Sequence, residues 1–187
     1  MSLCTQRLRR RKIRGKHRSK DLRLAVIPAV SKASLEFSRI LFESCEYYEA
    51  LTLRERILRE PLGLNLTPED LDGESQQYHF GVYDRNVNCL IACCVVDPRD
   101  KKRLKIRQMC VSSSYRGEGV GMFLMQQTEL QCRDLGGTEL MLHARVSVSD
   151  FYRKLGYTDF GDPFIEVSVP HILMKKYLPN IENSDAG

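Results

Sequence analysis

The stretch Gln108-Met109-Cys110-Val111-Ser112-Ser113-Ser114-Tyr115-Arg116-Gly117-Glu118-Gly119-Val120-Gly121-Met122 constrains this chain more than any other. It passes from an apolar strand through a polar turn and a glycine loop into the start of a helix. Glycines at alternate positions let the backbone turn tightly and leave its N–H groups unshielded. Those N–H groups fall at a helix N-terminus, where the first amides have no internal partner and the dipole is positive. Such an arrangement holds a phosphate or pyrophosphate, and Arg116 adds a formal charge. The Walker pattern is excluded, because Met122 and Phe123 follow Gly121 where Lys and Ser/Thr are needed. The dinucleotide pattern is excluded as well, because its third glycine would fall at Met122. Glu118 would repel a phosphate, so its side chain is expected to point into solvent.

Around this loop the pattern alternates between strand and helix. Residues 22–27 predict a strand ended by Pro28, and Ser31 or Ser34 is expected to cap a helix running to about Tyr48. Thr52 opens a second predicted helix, Leu53 to Arg59, stopped by Pro61 and Gly63. Tyr78 to Tyr83 and Val87 to Val96 predict a hairpin about Asp84-Arg85-Asn86. Leu104 to Val111 predicts a further strand. A helix follows, with Val120, Phe123, Leu124, Leu130 and Leu135 as its apolar stripe and Gly136-Gly137 as its end. Glu139 to His143 predicts a strand, Ser149 to Leu155 a short helix ending at Gly156, and Tyr157 to Phe160 and Ile172 to Tyr177 the last strands. That order implies an α/β fold: a mixed sheet with helices on both faces.

The 187 residues suit one domain with a full core. The net charge of +5 is unevenly placed. Residues 1–20 hold nine Lys or Arg (Arg7 to Lys20) and no acid, which leaves 20 basic against 24 acidic residues in the remainder. Residues 1–20 are therefore expected to be a basic, disordered arm, 22–178 the domain, and 179–187 a flexible tail. The arm fits three roles: a solvated tail, a nucleic-acid contact through residues 7–20, or an organelle transit peptide. The corresponding locations are the cytoplasm, or a mitochondrion or other organelle. Apolar runs are too short to span a bilayer. Seven cysteines without paired spacing imply a reducing compartment, with Cys93 and Cys94 as small buried hydrophobes. The histidines and cysteines lack metal-ligand spacing, so no metal is expected.

Arg116-x-x-Gly119-x-Gly121 resembles the pyrophosphate loop of the GNAT superfamily of acyl-CoA-dependent N-acyltransferases. Phe151-Tyr152-Arg153-Lys154-Leu155-Gly156-Tyr157 resembles that superfamily's helix-to-strand segment. Leu142-His143-Ala144-Arg145 and Phe164-Ile165-Glu166-Val167-Ser168-Val169-Pro170-His171 are similar to a bacterial-type branch, as is Leu53-Arg54 to Pro61-Leu62-Gly63. In that branch the later stretch usually reads Phe-x-Glu-x-Gly-Ile-Pro-His, so Ser168 replaces the glycine and Val169 the isoleucine. The resemblance spans about residues 22–178. It implies a GNAT-like sheet splayed near its middle with acetyl-CoA in the split. The pyrophosphate would lie on Arg116, Gly117, Glu118, Gly119, Val120, Gly121 and Met122. The pantetheine arm would pair with backbone at Met109, Cys110 and Val111.

Acetyl transfer to an amine poses two proton problems. The amine must lose a proton, and the departing thiolate leaves better when protonated. The resemblance puts Tyr152 near the thioester sulfur, as the acid; a core ring with a capping hydroxyl is the rival role. His143 ends a predicted strand beside the splay, and an imidazole titrates near neutrality (~6.5), so it is a candidate base or else a hydrogen-bonded core residue. Glu166 and His171 can bind the amine or relay its proton, or be structural, and Arg145 can hold an acidic group on the acceptor. The leading expectation is an N-acetyltransferase acting by direct attack in a ternary complex on a small-molecule or peptide amine. The rivals are a non-catalytic acyl-CoA sensor and a protein tethered to nucleic acid by its arm.

Overall fold

One strand, Cys89–Pro98 (β3), is buried along Leu90–Val96, and the rest of the molecule is arranged around it. A run apolar on both faces must lie mid-sheet with helices above and below. The computed structural model describes residues 32–179; the basic arm, the expected strand at 22–27 and nearly all of the expected tail lie outside the described residues. The remaining strands are Leu35–Ile40 (β1), Tyr78–Asp84 (β2), Arg103–Val111 (β4), Glu139–Arg145 (β5), Thr158–Asp159 (β6), Phe164–Glu166 (β7) and Val169–Tyr177 (β8). They form one mixed sheet in the order β1-β2-β3-β4-β5-β8-β6, with β7 paired to β8. Among the described residues β4 and β5 are the parallel pair, and every other pairing is antiparallel.

Helices cover both faces. Val120–Asp134 (α2) crosses from β4 to β5 and packs Val120, Leu124, Met125 and Cys132 against Leu104, Ile106, Leu140 and Leu142. Cys45–Arg54 (α1) covers the opposite face, with Tyr47, Ala50 and Leu53 against Cys93 and Cys110. The buried stripe of α2 differs from the expected one, because Leu130 and Leu135 are exposed. Leu130 follows Leu124 by six residues, which turns it roughly 240° around the helix; Thr128 and Cys132 hold the inward positions. Ser149–Lys154 (α3) ends at Gly156, whose φ of 88° suits glycine.

Several expected boundaries move. The helix expected from Ser31 or Ser34 is instead β1, because Leu35, Phe37 and Ile40 gain more from pairing with β2 and from the Phe37–Phe80 stack (5.4 Å) than from local helix formation. Ser44 caps α1, accepting from the Tyr47 N–H at 3.2 Å. Thr52 opens nothing: it sits inside α1 with its hydroxyl bonded back to the Tyr48 carbonyl at 2.9 Å. The helix then widens into a π turn, Glu55–Arg59, before Gly63 stops it. The β2–β3 turn is longer than expected, with Val87 exposed and Asn88 at φ 48°.

The β7–β8 hairpin turns on Val167 and Ser168, at φ 48° and 61°. Both belong to the left-handed region of a tight hairpin turn, which asparagine and glycine fill without strain. Ser168→Gly is therefore expected to raise stability by about 0.5–1 kcal/mol, after the extra flexibility of glycine in the unfolded chain is subtracted. Urea unfolding of the full chain checks this through a higher midpoint at unchanged slope.

Candidate active site

The sheet splits between β4 and β5. Their ladder runs only from Arg103↔Glu139 to Ile106↔Leu142, and beyond it the strands part. At the same point β4 carries a bulge on its other edge, where the pairs Val95↔Arg107 and Cys93↔Cys110 fall out of register. Gln108 sits in the bulge at φ 50°. Backbone from Arg107 to Val111 thus faces the split with no strand pairing on its β5 side. A row of unpaired main-chain groups beside a cavity is an edge built to be completed.

The split opens into a cleft of about 810 Å³. One end is the loop before α2. Gly117 and Gly119 stand at φ 82° and 78°, and a Cβ added at either would meet only open space. Gly121 is tighter, with Met109, Phe151 and Val111 around it at 3.2–3.4 Å. No side chain caps α2, so its first amides point out unsatisfied at the positive end of a fifteen-residue helix. Arg116 has no carboxylate within ion-pair distance among the described residues. Space, free donors and positive charge fit a diphosphate. Of the residues expected to hold it, Arg116, Gly117, Gly119, Gly121 and Met122 line the cleft with Met109, Cys110 and Val111. Val120 buries its side chain in the core, and Glu118 is exposed as expected.

The chemical candidates converge from three elements. Tyr152 of α3 lines the cleft, its ring edge-on to Phe151 and Tyr157. Burial pushes its phenol pKa well up, and among the described residues no side chain bonds its hydroxyl. The phenol therefore stays protonated through the neutral range, with its O–H uncommitted. His143 of β5 and Glu166 of β7 form a pair, Nδ1 to Oε2 at 2.8 Å. The hydrogen bond from His143 holds the Glu166 carboxyl below its ordinary value, so it is ionised and must accept. Nδ1 then carries the hydrogen, which leaves Nε2 as the ring nitrogen that can exchange a proton. Phe164 presses edge-on against the ring at 4.9 Å and fixes its plane. His171 is buried, with Nδ1 bonded to the Val169 carbonyl at 2.9 Å, and Arg145 donates to the Leu58 carbonyl at 2.9 Å.

Other lining residues were not singled out from sequence. The π turn brings Ile57, Leu58 and Arg59 to the cleft. Arg59 donates to both oxygens of Asp70 (2.8 and 3.4 Å), and this pair pulls the Asp70 pKa down. Gln108 donates to the Asp70 carbonyl at 3.1 Å, leaving its own oxygen buried without a partner. Lys105 stands 3.3 Å from His143 Nδ1. A strict two-residue period along β4 would have put Lys105 on the face that β5 offers through His143; the bulge carries no such signal. Among the described residues no group of His, Cys, Asp or Glu is placed to hold a metal, and no helix is long and apolar enough to cross a membrane.

This mixed sheet with helices on both faces is a fold shared with solved N-acetyltransferases. The family model described as an acetyltransferase (GNAT) domain matches residues 65–178. The chain belongs to the GNAT acetyltransferase family. A Bacillus subtilis (strain 168) protein named as an acetyltransferase is 26% identical over 136 residues, 70% of this chain and 89% of that one. YyaT of the same organism is 33% identical over 72 residues, 38% of this chain; the match spans about half of YyaT, 49%. In fold, a Lactobacillus plantarum N-acetyltransferase matches with TM-score 0.70 at 22% identity, over 78% of this chain and 99% of that one. A GNAT acetyltransferase of Elizabethkingia anophelis, solved with acetyl-CoA bound, matches with TM-score 0.60 at 18% identity, over 79% and 100%.

Proposed function

We propose that the chain moves an acetyl group from acetyl-CoA to a primary amine by direct attack, with both substrates held in one cleft. One observation carries this reading: the free β4 edge in the split runs straight to the uncapped start of α2, so a long phosphate-ended ligand finds main-chain partners at one end and an amide cradle at the other. Acetyl-CoA supplies an acyl group activated as a thioester. The first amides of α2, with Arg116, hold the diphosphate, and backbone at Met109 to Val111 pairs with the pantetheine arm.

The chain's own groups meet the two proton demands. His143 offers Nε2 to the amine while Glu166 holds its ring and steadies the positive charge that proton uptake creates. The Tyr152 hydroxyl donates a hydrogen bond to the departing sulfur. Because burial raises its pKa, it acts chiefly as a fixed donor that favours the thiolate over the thioester. The acceptor enters past Lys105 and Glu166, which line both the cleft and a neighbouring groove of about 530 Å³ bordered by Glu69, Asp72 and Asp97.

The test combines binding and turnover. Calorimetric titration of the full chain with acetyl-CoA is expected to saturate, and Gly119→Val to weaken binding by at least about tenfold, since its branched side chain fills the cradle and strains the turn. Incubation with acetyl-CoA and a panel of primary amines is expected to release free CoA thiol. No saturable binding, or no effect at Gly119, removes the reading. Binding with no turnover on any amine leaves a CoA-ester sensor instead.

A further inference from the structure

Beside the His143–Glu166 pair lies a primary amine that the acetyl-transfer reading leaves unused. Lys105 projects from β4 into the cleft, half-buried, and also lines the groove on the acceptor side. Among the described residues no carboxylate approaches its Nζ within 4.0 Å. Its hydrogen-bond neighbour is His143 Nδ1, at 3.3 Å. That nitrogen already directs its hydrogen to the Glu166 carboxylate at 2.8 Å. An ammonium group, which can only donate, has nothing to offer a nitrogen bearing hydrogen; a neutral amine, with its lone pair, shares it. The groups around Lys105 act in the same direction on balance. Burial lowers its pKa, with Arg107 and Arg99 adding to the effect, while Glu166 and Asp97 partly oppose it.

We propose that Lys105 is a site of self-acetylation: with acetyl-CoA bound and no acceptor present, its amine takes the acetyl group. The step balances without a further reagent. The Nζ lone pair attacks the acetyl carbonyl carbon, the N–C bond forms and the C–S bond breaks. The nitrogen gives up its surplus proton to His143 Nε2, directly or through water, and that same proton passes to the departing sulfur, so that CoA leaves as its thiol and His143 is restored. The product is an amide, so it cannot pass the acetyl group on and is not an intermediate of the main reaction. It lengthens the side chain, removes its basic nitrogen and narrows the passage where cleft and groove meet. The proposal rests on the acetyl-transfer reading. Lys154 also lines the cleft but is exposed; what sets Lys105 apart is that its amine is half-buried beside His143 in the space a thioester would share, which gives the reaction a high effective concentration.

The full chain is incubated with acetyl-CoA and no acceptor, then digested without lysine cleavage and followed by mass spectrometry, with calorimetric binding of acetyl-CoA measured alongside. Lys105 is expected to gain one acetyl group at least about tenfold faster than the exposed Lys101 and Lys102, at a rate independent of protein concentration. Gly119→Val is expected to bring Lys105 down to the rate of those exposed lysines, and Lys105→Arg to abolish the mark at that position. Saturable binding with Lys105 acetylated no faster than Lys101 and Lys102 overturns the proposal and leaves the acetyltransferase reading standing. A rate that rises with protein concentration overturns it too, by placing the transfer between molecules. Absence of saturable binding removes the underlying reading and this one with it.

Discussion

Replacing Tyr152 with phenylalanine is expected to lower kcat by about 10²–10³-fold while acetyl-CoA affinity is retained. The substitution keeps the ring and its edge contacts with Phe151 and Tyr157, so the corner of the core that α3 builds is preserved. It removes one O–H, and that O–H bonds no side chain among the described residues. The fold therefore loses little, and the expected loss falls on the departure of the sulfur. Steady-state rates of thiol release, set against calorimetric affinity for the same variant, separate the two effects. A variant turning over at the parent rate would assign the phenol to packing. An equal loss in affinity and rate would assign it to holding the substrate rather than to the step in which sulfur departs.

Removing Glu74 is expected to cost about 3–5 kcal/mol of stability. Arg54 of α1 is fully buried, and Glu74 almost so, with the guanidinium donating to both carboxylate oxygens at 2.5 and 3.1 Å. The Tyr47 hydroxyl adds a third hydrogen bond at 2.8 Å, and His79 Nε2 bonds the Glu74 main-chain carbonyl at 2.9 Å. Alanine at 74 leaves a buried guanidinium charge without the carboxylate that pairs with it. The paired change Arg54→Met with Glu74→Leu is expected to lose far less, because a buried ion pair contributes little beyond what similar apolar volume supplies. Urea unfolding of both variants measures the difference. A double variant as unstable as Glu74→Ala would show that the polar network itself, and not the orphaned charge, sets the cost.

The site was more legible in the sequence than the path to it. Apolar runs disclosed β3, β4 and β5, and the glycine spacing disclosed the start of α2, because these features are local. Tyr152 and His143 could each be put on an element, but Glu166 fell between the expected last strands, and its bond with His143 depends on a hairpin whose turn, Val167-Ser168, carries no conventional turn signal. A β-branched residue at positive φ is what sequence rules steer away from. The helix expected over 31–48 failed for a related reason: Leu35, Phe37 and Ile40 fit either period, and pairing with a strand some forty residues later decided between them. Bulge and π turn, which shape the cleft walls through Gln108 and Leu58, each insert one residue into a regular element and leave no compositional trace.

With only four residue pairs joining β4 to β5, the two halves of the sheet share a short seam, held also by the α2 crossover and by the core that runs beneath both. Whatever threads that seam becomes mortar as well as cargo. A guest lying along the open edge of β4 would lend the protein rigidity on arrival and withdraw it on departure.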